Sequence, residues 1–96
     1  MSTTITSTSF TLPAATPTLL LALDPTRRSL LRSVSSGVAT FKFGSAPASA
    51  TDGVVIDPTS TAGGRLLITG ADTPVDAVYA YSTSGASIVI EVGKAY

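Results

Sequence analysis

Ala77-Val78-Tyr79-Ala80-Tyr81-Ser82-Thr83-Ser84-Gly85-Ala86-Ser87-Ile88-Val89-Ile90-Glu91-Val92 is the stretch that decides the fold class. Side chains alternate with a period of two before Thr83-Ser84-Gly85 and again after it. A period of two puts successive side chains on opposite faces of an extended chain. The stretch therefore reads as two strands joined by a tight turn, a β-hairpin by pattern and by turn chemistry. Ile88, Ile90 and Val92 are expected in the core, and Glu91 in solvent or at a contact.

The same rhythm runs back toward the N-terminus. Arg65 to Thr69 reads as a strand with Leu66 and Ile68 on one face, followed by the turn Gly70-Ala71-Asp72-Thr73-Pro74. Val54-Val55-Ile56 is a short strand stopped by Asp57-Pro58, and the loops Gly44 to Gly53 and Thr59 to Gly64 are built of small or turn-forming residues. Val38 to Phe43 alternates, with Ala39, Phe41 and Phe43 facing one way and the two phenylalanines expected in the core. Ser35-Ser36-Gly37 reads as a hairpin turn with glycine at a positive φ. Arg28 to Val34 is the strand before it, anchored by Leu30 and Leu31. Asp24-Pro25 opens that strand as a turn: the aspartate accepts a hydrogen bond from the backbone two residues on, and proline presets φ. Thr18 to Leu23 is apolar on both faces and is expected to be central or covered on both sides.

Seven short strands at a spacing of roughly ten residues, with no helix-period segment, predict an all-β fold. The expected architecture is a small β-sandwich or jelly-roll-like barrel of antiparallel strands spanning residues 18–96. Residues 1–17 stand apart. They are dominated by Ser and Thr, lack glycine and close on Pro13 and Pro17. β-Branched threonines favour extended backbone. Two readings stay open: a frayed terminus, or an extended N-terminal arm that adds a strand to a neighbour's sheet edge. Ile5, Phe10 and Leu12 are its candidate contacts.

Composition narrows function. Only 12% of the 96 residues are charged, and the formal net charge is zero. A typical globular domain carries about 25%, so the surface is Ser, Thr, Ala and Gly, which reads either as poorly defended against association and covered by neighbours or as that of a Ser/Thr-solvated monomer. No basic stripe offers a nucleic-acid footprint, and nothing predicts attraction to an anionic membrane. Cys, His, Trp, Asn and Gln are absent. No Lys or Arg precedes Arg27, so the charged start of a secretory signal is not expected. Without His or Cys, general-base chemistry near neutral pH falls to Asp, Glu or Lys. Asp52 with Asp57, and Asp72 with Asp76, have oxygen ligands for Ca²⁺, yet Asp-Pro and Asp-Thr-Pro suit turn initiation better. No enzyme, metal or cofactor is expected. Arg27 and Arg28 read either as a bidentate clamp on a partner's carboxylate or as solvated strand-start residues. Tyr96 is a further interface candidate.

Three segments carry a resemblance. Asp24-Pro25-Thr26-Arg27-Arg28-Ser29-Leu30 resembles the Asn-Pro-x-Arg-x-x-Leu opening of small virion-associated β proteins of tailed bacteriophages, with aspartate in place of the usual asparagine. Val38 to Gly44 is similar to their Val-x-Phe-x-Phe/Leu-Gly segment. Ala77 to Ser82 with Gly85, then Ile88 to Gly93, resemble their closing hairpin and strand. The likeness covers about residues 18–93. It implies a phage virion structural protein on the capsid surface, a decoration or cement subunit. The partners it implies are the major capsid protein and further copies of the chain, a trimer among the options. The alternatives are a head-fibre, tail or head–tail-junction component, and a carbohydrate-binding β-sandwich, which the lack of Asn, Gln and Trp disfavours.

Overall fold

All seven strands read from the sequence form, and an eighth stands in front of them. The computed structural model describes residues 3–59, 64–70 and 73–95. The strands are β1 (Thr3–Leu12), β2 (Thr18–Leu21), β3 (Arg27–Ser36), β4 (Ala39–Phe43), β5 (Val54–Ile56), β6 (Arg65–Thr69), β7 (Val78–Tyr81) and β8 (Ala86–Ala95). They make two four-stranded sheets, ordered β1-β8-β3-β6 and β2-β7-β4-β5. Every neighbouring pair is antiparallel. The chain changes sheet at every connection except β4 to β5. This is the winding of a double-sheet jelly roll, and the all-β sandwich expectation holds.

Alternation supplies the core. Leu12, Leu20, Leu30, Val34, Ala39, Phe41, Ile56, Val78, Ala80, Ala86, Ile88, Ile90 and Val92 are buried between the sheets. Phe43 is half-buried and packs on this cluster. Burying one large apolar side chain contributes about 1.5–3 kcal/mol, so the period-two pattern is the dominant stabilising feature.

Three expectations are corrected. Residues 3–12 are not an arm lying clear of the domain. Thr3 to Leu12 pairs without interruption with Ala95 to Ala86 of the same chain. The reason is burial: Leu12 is 2% exposed, and Phe10 opposite Ile88 packs on the core. Next, neither glycine-ended turn closes a hairpin. β3 and β4 lie in different sheets, as do β7 and β8, so each turn carries an arch over the core. Gly37 has the expected positive φ of 79° and Gly85 one of 93°. A Cβ on Gly37 would lie 2.4 Å from the Gly85 carbonyl oxygen, so the two arches are packed together. Finally, β2 is an edge strand, not a central one. Leu20 is buried, while Leu19 is 52% exposed and Leu23, beyond the strand, 63%.

Candidate functional site

The Asp24–Leu30 segment is a local hub. Asp24 closes its own turn: Oδ1 accepts from the Thr26 amide at 2.9 Å and from the Thr26 hydroxyl at 2.7 Å. Its Oδ2 meets Lys94 Nζ at 2.7 Å. The Lys94 ammonium and the two Thr26 donors hold the Asp24 carboxyl far below the usual carboxylate range.

Arg27 points inward and is 2% exposed. Its Nη1 donates to the carbonyls of Pro74 and Asp76, both at 2.9 Å, and Nη2 donates to Ala22 at 3.0 Å. One guanidinium thus fastens the end of β2 and the segment before β7 to the start of β3. Nε has no hydrogen-bond partner among the described residues. Burial pushes its pKa down, with Asp24 and Asp76 opposing. The expected clamp on a partner's carboxylate is therefore corrected for Arg27, whose terminal nitrogens are committed to backbone carbonyls of its own chain. Arg28 is exposed, with Nη1 donating to Pro25 and Arg27 carbonyls at 3.0 Å each.

Beside this hub lies a groove of about 220 Å³, lined by Thr6, Thr8, Leu21, Leu23, Ile90 and Val92 with the Asp24–Lys94 pair. It exists because the sheets differ in length. β1 and β8 have ten residues each, β2 and β7 four. On β1, Thr6 and Thr8 take the parity of Phe10 and Leu12, but threonine does not fill the space phenylalanine fills. The volume falls below the roughly 300–1,000 Å³ of small-molecule pockets. What it offers is apolar contact and two hydroxyls.

Arg32 went unread in the sequence. It shares the parity of Leu30 and Val34, the buried face of β3, and is itself 3% exposed. That parity was the available signal. Its Cζ lies 5.6 Å from the Phe41 ring centroid and 5.4 Å from that of Phe43. Nε and Nη1 have no hydrogen-bond partner among the described residues, and burial pushes the pKa down.

The other candidate contacts divide. Ile5 is 68% exposed, on the outer face of β1. Phe10 and Leu12 face the core, so the expectation that they reach a partner is corrected. Tyr96 lies outside the described residues, as does Asp72. Asp52 is engaged by Lys42 Nζ and the Ala48 amide, both at 2.8 Å, and Asp57 accepts from the Thr59 amide and hydroxyl. Among the described residues no group of three or more acidic side chains could hold a metal ion.

No protein-family model matches the chain, and no curated protein matches it. The phage resemblance thus rests on the quoted residues alone. Among solved structures, the chain is similar at 12% identity to one described as "Bacillus endospore appendages form a novel family of disulfide-linked pili", over 98% of this chain and 90% of that one, with a TM-score of 0.38. A likeness of that degree carries no functional inference, and this chain has no cysteine.

Proposed function

We propose that the chain is a structural subunit of a tailed-phage virion, a decoration or cement protein seated on the shell of the major capsid protein. The observation that carries the reading is the surface. Ile5, Leu19, Leu23, Val38, Val54, Val55 and Leu67 are each at least 41% exposed on a molecule with 12% charged residues. Large apolar side chains on a weakly charged surface favour association. Jelly-roll winding serves in viral shells and also in lectins and cupins, so topology adds analogy only. A cement subunit works by summing many modest interfaces over a shell.

The test compares shells carrying the chain with shells stripped of it. Stripped shells are expected to burst at lower temperature, and added chain to restore the loss. Equal survival overturns cementing. Copy number supplies the second readout. Hundreds per particle fit a shell position, and a handful would move the chain to a fibre, tail or head–tail junction.

A further inference from the structure

The four sheet edges are unequal. β5 has three residues. β2 has four, with a register shift between Leu19 and Leu21. β6 has five and begins at Arg65. Short strands, irregular register and charge are the devices that keep sheet edges from pairing with other chains. β1 has none of them. It runs ten residues, Thr-Thr-Ile-Thr-Ser-Thr-Ser-Phe-Thr-Leu, with no charge, glycine or proline. Its pairing with β8 shows no register shift. Its other edge is unpaired among the described residues. In an antiparallel ladder the groups of alternate residues point to each side, so about half of the β1 N–H and C=O groups face outward.

We propose that this free edge of β1 pairs antiparallel with β1 of a second copy, joining the β1-β8-β3-β6 sheets of two molecules into one of eight strands. The occupant is argued from self-complementarity. A two-fold axis normal to the sheet sets each residue opposite one on the same face, so the register centres on a single residue. Centred on Ser7, it places Ile5 opposite Ser9 of the partner subunit and pairs residues 3–11 of both chains. No charge opposes a like charge, which is what destabilises many chance pairings. The contact is isologous and closes on itself, leaving the outer faces of both sandwiches free. The inference extends the reading of an associating structural subunit, but its test uses the isolated chain, so a failure here leaves the shell assay standing.

The experiment combines sedimentation with hydrogen exchange across a range of protein concentration. A monomer–dimer equilibrium is expected, with alternate amides of β1 gaining protection as the dimer forms. Ser7→Pro and Thr8→Pro then separate the two edges. At one of these neighbours the N–H faces β8, and at the other it faces outward. Proline is tolerated where the N–H faces outward, so one variant is expected to fold as the parent does and to associate about tenfold more weakly or worse. A monomer at every concentration overturns the proposal. So does a dimer whose β1 amides exchange as in the monomer, or a folded proline variant that dimerises unchanged. If both variants unfold, the exchange pattern of the parent decides.

Discussion

Arg27 and Arg32 are both almost fully buried, and they differ in what surrounds the guanidinium. Arg27 satisfies three carbonyls that otherwise lack these donors, and hydrogen bonds to charged groups contribute about 1.5–3 kcal/mol each. Arg27→Met is therefore expected to lower unfolding stability by about 2–4 kcal/mol, read from urea titration. Arg32 has two nitrogens without partners among the described residues, each costing about 1–3 kcal/mol. Stacking on Phe41 and Phe43 returns about 0.5–2 kcal/mol. Arg32→Met keeps the contact with the rings and removes the buried charge, so stability is expected to rise by about 1 kcal/mol. A loss would show that the guanidinium finds a partner in solution. The carboxylates set the pH response. Asp24, held by Lys94 and Thr26, Asp52, held by Lys42, and Asp57, held by the Thr59 amide, all titrate below their ordinary value in the folded chain. Each contributes stability that is complete above the unfolded value, near pH 4, and is lost as pH falls through the lower folded values. Thermal melts are expected to be flat from about pH 5 to 7 and to drop below about pH 4, with a smaller drop in Asp24→Asn. An equal drop in that variant would remove Asp24 from the account.

At the scale of the element, most of the molecule was legible in the sequence. Seven strands, the Asp24 turn, the positive φ at Gly37 and the inward set Ile88, Ile90 and Val92 all follow from period and turn chemistry. What local signals do not hold is which strands become neighbours. A serine-rich turn ending on a left-handed glycine serves a hairpin or an arch equally well. The choice depends on whether two apolar faces meet across the core, a property of the whole chain. β1 was read as an extended arm or a frayed end, and its place in the chain's own sheet was missed for a related reason. Thr, Ser and Ile on its outer half look like a solvated tail, and only Phe10 and Leu12 mark an inward face. Arg32 was missed because its charge masked its parity. The arches make Gly37 a sharp probe. Alanine there would strain φ and push a Cβ against backbone at 2.4 Å, so Gly37→Ala is expected to cost at least about 2 kcal/mol. Gly70, at φ 75° with open space around it, is the control, and its alanine variant is expected to lose only about 1 kcal/mol. Equal losses would mean the arches do not press on each other.

For the molecule as a whole, the edge position of β1 does not make it expendable. Removing it strips Ile88, Ile90 and Val92 of their cross-strand neighbours Phe10, Thr8 and Thr6 and deletes Leu12 from the core. A Leu→Ala change in a core already costs about 2–5 kcal/mol, against a total of about 5–15. Deletion of residues 1–12 is therefore expected to abolish cooperative unfolding, seen as loss of a sigmoidal melt. A sharp melt in that variant would return the segment to the status of an appendage. Since β1 pairs with β8, it leaves the ribosome before its partner strand has been made. Until residues 86–95 emerge, residues 3–12 have no partner in their own chain. Newly made copies on one message therefore expose an uncharged, strand-ready segment to one another until β8 has been made. Nascent chains arrested before residue 86 are expected to be readily cleaved by protease and to call on chaperones, whereas emergence of residues 86–95 should end both.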